Sequence, residues 1–289
     1  MPLDPESIIK KCPTPLPTDK DRMDWVSQYS YAEKLCSTYK TILSHIGRPS
    51  KNFQGRANEV DSVKESLLKK RMRNCVLIGS AGVGKTEIIK AAISSLSTND
   101  IFLDMDLASM ISGCTLVGMF EQRFTDVVRA VAQANRTHKA QICFFVDEVH
   151  NLFRVGKSDQ YGTMSGGEIL KPYLSEGSIT LIGATTYEEY EKYVKADKAL
   201  LRRLPPLFVK GMGDEEVAKI VYGFFEKKIP MAICREIVKK SHEIDYLNNP
   251  DCSLEIADRA MAKSKLYGET VSLGMIDGIM ELMKGGENA

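Results

Sequence analysis

The chain has 289 residues, 43% of them hydrophobic and 27% charged, and its 39 lysine and arginine residues balance 38 aspartate and glutamate residues. This length suffices for one large domain, or a large and a small one, around a buried core. The balanced charge gives no overall case for nucleic acid or a membrane surface as the main partner, although a local basic patch is compatible with it.

Seven widely spaced cysteines form no C-x-x-C pair, which predicts reduced thiols, an intracellular and cytoplasmic location, and no cysteine metal site. The first residues lack the apolar segment of a signal peptide, and no apolar run approaches the length of a membrane span. We therefore expect a soluble protein without a membrane partner.

The N-terminal region, residues 1–50, is predicted to be extended and then helical. Five prolines within the first 19 residues favour an extended lead. From Asp19 to His45, apolar residues such as Trp25 and Tyr29 recur three or four apart, as on the buried or docking face of a helix.

A phosphate-binding loop is the most specific motif in the chain. The apolar run Cys75-Val76-Leu77-Ile78 leads into G-x-x-x-x-G-K-T, after which helix-forming residues follow. Its glycines allow a tight turn that aims backbone N–H groups at phosphate, and the following helix adds its positive dipole end. The lysine can reach the β and γ phosphates, and the threonine hydroxyl can bind Mg²⁺. The predicted binding residues are Gly79, Ser80, Ala81, Gly82, Val83, Gly84, Lys85 and Thr86.

A second landmark is an apolar strand, residues 142–146, that ends in Asp147 and Glu148. Ligands of parallel α/β sheets bind at the carboxyl ends of the strands, where these two carboxylates lie. We predict that Asp147 holds Mg²⁺, directly or through water, and that Glu148 activates or orients the attacking water. The pattern fits a Walker B element about sixty residues after the P-loop.

The remaining patterns predict an α/β fold with a parallel sheet and helices on both faces. Further strands are predicted at residues 101–104 and 178–186, and near Leu207. After residue 213 only helical patterns follow, with Asp214 and Ser272 as candidate N-caps. We therefore predict a nucleotide-binding domain over residues 51–210 and a helical domain over residues 211–289.

Together these motifs resemble the first ATPase module of the Clp-type AAA+ protein unfoldases. The resemblance runs from about Phe53 to about Val209, and more loosely to the end. Its segments are Gly55-Arg56-Ala57-Asn58-Glu59-Val60, the P-loop, the acid pair, Gly167 to Leu174, Gly183-Ala184-Thr185-Thr186 and Ala199-Leu200-Leu201-Arg202-Arg203.

The resemblance implies a P-loop AAA+ core with a parallel five-stranded sheet, followed by a small all-helical lid, with ATP and Mg²⁺ as cofactors. It places Gly55 and Arg56 on the adenine side of the nucleotide and makes Thr186 the sensor 1 residue, with Thr185 the near alternative. Arg202 and Arg203 would act as arginine fingers in the site of a neighbouring subunit. Fingers acting in trans predict an ATP-dependent ring, expected to be a hexamer.

One departure concerns the loop that carries a pore aromatic in the family, where this chain has Leu116. An aliphatic side chain lacks the stacking contact of an aromatic one.

The motifs favour an ATPase that remodels proteins or protein complexes. The alternative is an ATP-dependent switch or loader that recruits a partner, for which the basic segment Lys69 to Arg73 could contact nucleic acid. A small-molecule kinase is disfavoured, because the threonine and arginine pairs fit ATP hydrolysis in a ring.

Overall fold

The computed structural model describes residues 4–51, 53–112, 118–154 and 164–284. The chain forms two compact units. The first unit comprises Met1–Arg48, Val60–Ile78 and Ile89–Leu207, and the second comprises Pro49–Glu59, Gly79–Ile88 and Phe208–Ala289.

Six strands form one sheet in the described part of the chain. They are β1 (Leu43–His45), β2 (Cys75–Ile78), β3 (Ile101–Met105), β4 (Ile142–Val146), β5 (Thr180–Thr185) and β6 (Pro206–Phe208), in the spatial order β1-β3-β4-β5-β2-β6. Neighbours among β2 to β5 are parallel, whereas β1 is antiparallel to β3. The predicted α/β class with a parallel core is confirmed, and β1 adds a strand to the five that were predicted.

Strand β1 lies where the sequence pattern predicted the end of a helix. The preceding helix ends at Thr38, and the N–H groups of Ile42 and Leu43 both turn back to donate to the Tyr39 carbonyl. Leu43 is then buried beside β3, so tertiary packing decides the conformation of this short apolar segment. The prediction of helix from residue 39 to residue 45 was therefore wrong.

The helices in chain order are α1 (Pro5–Ile9), α2 (Asp19–Thr38), α3 (Ala57–Leu68), α4 (Lys85–Ser95), α5 (Leu107–Ile111), α6 (Met119–Thr137), α7 (His150–Arg154), α8 (Gly166–Glu176), α9 (Tyr187–Glu189), α10 (Lys198–Leu201), α11 (Asp214–Phe224), α12 (Met231–Ser241), α13 (Asp251–Tyr267) and α14 (Leu273–Lys284). A π-helical turn, Tyr190–Val194, follows α9. No helix in the described ranges is long and apolar enough to cross a membrane.

The N-terminal region packs onto the core of the first unit through α1 and α2. Ile8 in α1 is fully buried, which corrects the prediction of an extended lead. In α2, the Trp25 indole donates to the Asn99 carbonyl over 2.9 Å. The Gln28 amide, also fully buried, donates to the side chain of Asn135 in α6. Apolar burial and these hydrogen bonds thus hold α2 in place.

Helices α11 to α14 share a separate apolar core in the second unit, which includes Val217, Ile237 and Ile256. The predicted all-helical region is therefore confirmed. The Ser272 hydroxyl accepts from the Met275 N–H at the start of α14, as an N-cap does. Helix α11 instead begins at Asp214 with Gly213 in the cap position, and Asp214 bonds to His242.

Candidate nucleotide-binding and hydrolysis site

The P-loop of the second unit turns directly from β2 into α4. Gly84 has φ +91°, a left-handed conformation that side-chain-bearing residues rarely adopt, and α4 begins at the next residue. At Gly79, a Cβ atom would lie 2.6 Å from the Val209 carbonyl oxygen, so only glycine fits this close approach. The Lys85 ammonium donates to the carbonyls of Gly79 and Ser80 over 2.9 and 3.0 Å and is almost fully buried.

Arg56 joins three backbone segments of the second unit. Its guanidinium donates to the carbonyls of Lys210 (2.6 Å) and Val83 (3.0 Å) and also pairs with Glu59 (2.9 Å). Its side chain is 6% exposed, and its backbone has φ +64°, next to Gly55 at +71°. Arg56 therefore braces the P-loop through Val83, a structural contact that its motif did not reveal.

An apolar cavity of about 240 Å³ adjoins the P-loop in the second unit. Its wall includes Val83 and Gly84 of the P-loop, Ile220 and Phe224 of α11, Leu254 of α13, and the non-helical residues Met212 and Pro250. Small-molecule sites in proteins have mostly apolar walls with a few polar groups, and this cavity has that composition. Sequence patterns predicted Ile220, Phe224 and Leu254 only as parts of helices and gave Met212 and Pro250 no role, so these five residues were missed as site residues.

In the first unit, Asp147 and Glu148 follow β4, all of whose residues are buried. The Asp147 carboxylate accepts from the Glu148 N–H over 2.9 Å. Glu148 has φ +47°, a strained conformation for a side-chain-bearing residue, and its side chain is half-exposed. The loop thus presents the Glu148 carboxylate at the carboxyl edge of the sheet.

Thr185 and Thr186 end β5 with different surroundings. Thr185 is fully buried, and its hydroxyl lies 3.0 Å from Nδ1 of His150. Thr186 is partly exposed and caps α9 by accepting from the Glu189 N–H. Of the two candidates for sensor 1, Thr186 is the one that is accessible to a ligand, because Thr185 is fully buried.

A larger cleft of about 560 Å³ opens beside the acid pair in the first unit. Asp104, Asp106, Asp147 and Glu148 all line it, together with Lys40 from the turn before β1. Burial, together with the negative charge of Asp147, raises the pKa of Asp104. Asp104 belonged only to a predicted strand in the sequence, and no motif marked it as a member of this acidic edge.

The two arginines after α10 differ sharply. Arg203 donates to the Ser175 hydroxyl (2.5 Å) and the Ala199 carbonyl (2.6 Å). The Arg202 residue is exposed, and its side chain makes no hydrogen bond or ion pair with any described residue. The Arg202 side chain can therefore contact another molecule without breaking a hydrogen bond or ion pair with the described residues. Leu116, the residue predicted to stand at a pore, lies outside the described residues.

Together these features define the class of protein as a P-loop ATPase. Comparisons with known proteins indicate the family within this class. Residues 75–211 match the family described as "ATPase family associated with various cellular activities (AAA)", so this part of the chain is an AAA domain. Its relatives are Clp-type chaperones, which confirms the resemblance inferred from the motifs.

The chain is 33% identical over 227 residues to the chaperone protein ClpB of Mycoplasma pneumoniae, covering 73% of this chain and 31% of that protein. The ClpB of Bdellovibrio bacteriovorus is 34% identical over 227 residues, 72% of this chain and 26% of that one. The solved structure of S. cerevisiae Hsp104 with ADP superposes with a TM-score of 0.71 at 26% identity, covering 86% of this chain and 45% of that one. The chain thus spans less than half the length of each.

Proposed function

We propose that this chain binds Mg²⁺-ATP and hydrolyses it as a subunit of a ring, expected to be a hexamer, that remodels proteins or protein complexes. The observation that carries the proposal is the P-loop opening into α4 beside the apolar cavity. Its support comes from the AAA family match and the likeness to ClpB and to Hsp104, whose structure was solved with ADP. The absence of cysteine pairing among the described residues supports a cytoplasmic location.

In this proposal the base occupies the apolar cavity, and the P-loop amides from Gly79 to Thr86 hold the phosphates. Gly55 and Arg56 shape the adenine side, Arg56 by bracing Val83. Lys85, whose ammonium bonds to loop carbonyls in the structure, turns to the β and γ phosphates when they bind.

The donor set suits magnesium, because the Thr86 hydroxyl and the Asp147 carboxylate are the hard oxygen ligands that Mg²⁺ prefers. The ion would neutralise charge on the phosphates. Glu148 orients the attacking water and accepts its proton, and Thr186 donates a hydrogen bond near the γ-phosphate. Arg202 of one subunit stabilises the transferring phosphoryl group in the next, with Arg203 supporting it.

The domain organisation that we propose has an N-terminal extension to residue 50, a nucleotide-binding domain from 51 to 210 and a lid from 211 to 289. The break between the last two is supported by the switch to purely helical structure after β6. Nucleotide hydrolysis would then be expected to move the lid.

Glu148→Gln is the direct test of hydrolysis. It keeps the size and hydrogen bonding of the side chain while removing its negative charge, so ATP should still bind while phosphate release falls by roughly 10²-fold or more. Binding is measured with a fluorescent ATP analogue and hydrolysis by phosphate release. Wild-type turnover in this variant would rule out Glu148 as the hydrolytic carboxylate.

The loader alternative is favoured by one observation, the exposure of Lys69, Lys70 and Arg71 after α3. Arg73 does not belong to this basic surface, because it pairs with Asp100. A loader should show ATPase stimulation by DNA that weakens steeply with salt. Stimulation by an unfolded protein instead would support remodelling.

A further inference from the structure

We propose that His150 is a positioning residue for Glu148. It holds the Glu148 carboxylate next to the end of β5 while that carboxylate orients the attacking water and accepts its proton. The inference rests on the proposed hydrolytic role of Glu148. It adds a residue to which neither the P-loop nor the acid-pair motif assigns a role.

The His150 imidazole lies between three polar groups of the first unit. Its Nδ1 atom is 3.2 Å from Oε2 of Glu148 and 3.0 Å from the hydroxyl oxygen of Thr185. Its Nε2 atom is 3.9 Å from Oε2 of Glu189. These contacts bring the ends of β4 and β5 and the short helix α9 together at one side chain.

The contacts also select the tautomer. A carboxylate oxygen only accepts hydrogen bonds, so a bare Nδ1 lone pair 3.2 Å from Glu148 would set two acceptors against each other. A proton on Nδ1 allows donation to Oε2 of Glu148, with the Thr185 oxygen as a second acceptor. The Glu148 side chain is thereby held at one oxygen, which leaves the other to accept from a water.

The ring itself is held rigidly. His150 has a side chain that is 10% exposed, and the Tyr193 ring stacks against it at 6.2 Å between centroids with an interplanar angle of 19°. On its Nε2 side, Oε2 of Glu189 is buried and has no hydrogen-bond partner among the described residues.

This restraint matters because Glu148 is otherwise poorly fixed. Its side chain is 51% exposed and its backbone is strained at φ +47°. A general base must stay within hydrogen-bond reach of its water, and small misplacements are costly in rate. His150 supplies the missing constraint and ties it to Thr185, the neighbour of the proposed sensor Thr186.

The test uses a series at position 150 in the full chain. His150→Asn retains a donor near the Nδ1 position, His150→Gln moves the donor towards the Nε2 position, and His150→Leu removes it. Loss of the contact with Glu148 predicts a fall in kcat of roughly 10- to 100-fold in His150→Leu, with little change in ATP affinity. His150→Asn should keep most of the activity and His150→Gln should lose it. His138→Leu is the matched control, because the His138 ring contacts Ala134 and Ser27 and no residue of this cluster, and it should hydrolyse ATP as wild type does.

The decisive comparison repeats His150→Leu in the Glu148→Gln background. If His150 acts through Glu148, the second change should reduce the residual rate by less than about 2-fold, because coupled residues are not additive. An equal reduction in both backgrounds, or wild-type kcat in a well-folded His150→Leu, overturns the inference. If Glu148→Gln alone leaves hydrolysis unchanged, the proposed function itself has failed. Should His150→Leu fail to fold, equal activity of the Asn and Gln variants overturns the inference.

Discussion

Arg202 and Arg203 are adjacent in sequence, yet only Arg203 is held by its own chain. Its guanidinium bonds to Ser175 and Ala199, and its carbonyl accepts from the Asn74 side chain over 3.1 Å. The exposed Arg202 has none of these ties. The structure therefore separates two residues that the sequence motif could not rank.

We predict that Arg202→Ala leaves ATP affinity within about 2-fold of wild type and lowers hydrolysis by roughly 10³-fold, since an arginine finger acts mainly on the transition state. Arg203→Ala should also destabilise the fold by about 1 kcal/mol, because it removes two hydrogen bonds. Chemical denaturation and phosphate release measure the two effects. The assignment fails if Arg202→Ala hydrolyses ATP at the wild-type rate.

At the scale of elements, helix α13 offers a matched pair of leucines. Leu254 lines the apolar cavity, whereas Leu266, three turns later, is 73% exposed. If the cavity takes the base, Leu254→Ala removes apolar contact worth about 1 kcal/mol and should weaken ATP binding roughly 5-fold. Leu266→Ala should bind ATP as wild type does. Equal affinities in all three proteins, measured by titration with a fluorescent analogue, would place the base elsewhere.

His45 in strand β1 is expected to make the free energy of unfolding depend on pH. Burial lowers the pKa of His45 below its ordinary value of 6.5, against the opposing effect of Glu33 at 3.3 Å; the ring also stacks on Tyr29. Protonation of His45 is thus less favourable in the folded chain than in the unfolded chain. The contribution of neutral His45 to the free energy of unfolding is therefore complete above about pH 6.5, and it is lost as the pH falls through the lower pKa of the folded state.

His45→Gln should remove this contribution and flatten the free energy of unfolding between pH 7 and pH 5, within about 1 kcal/mol. Denaturant titrations at several pH values measure it. A variant that loses stability on acidification as steeply as the wild-type protein would exclude His45 as the source.

Elements with a strong local signal were predictable from the sequence. The β2 strand, the P-loop and the start of α4 combine an apolar run, glycines and helix formers within a few residues, and each local preference agrees with the fold. Strand β1 could not be predicted in the same way, because its three residues become a strand only by pairing with β3.

The site shows the same division. Motifs indicated Asp147, Glu148 and Lys85, because a short spacing fixes those residue types. They did not reveal the contact of His150 with Glu148, the hydrogen bond from Arg56 to the Val83 carbonyl, or the position of Leu254 in the cavity wall. Each of these contacts joins segments that are distant in sequence or depends on a side-chain direction, and neither is visible in a linear pattern.

At the scale of the whole molecule, the proposed ring uses the exposed Arg202 of one chain to complete the site of the next. We predict that ATP with Mg²⁺ shifts the chain from a small species to a ring in size-exclusion chromatography with light scattering, because nucleotide bridges neighbouring subunits. Lys85→Ala should prevent the shift by removing a phosphate contact. A mass that does not change with nucleotide would argue against an ATP-dependent ring.

The most direct test of a site completed in trans mixes two inactive variants. Glu148→Gln keeps the finger but cannot hydrolyse ATP, and Arg202→Ala keeps the hydrolytic carboxylate but lacks the finger. In randomly mixed rings, about a quarter of the interfaces pair an intact carboxylate with an intact finger. We therefore predict that the mixture regains ATP hydrolysis well above either variant alone. A mixture that stays as inactive as its components, under conditions where subunits exchange, would contradict the trans-acting finger.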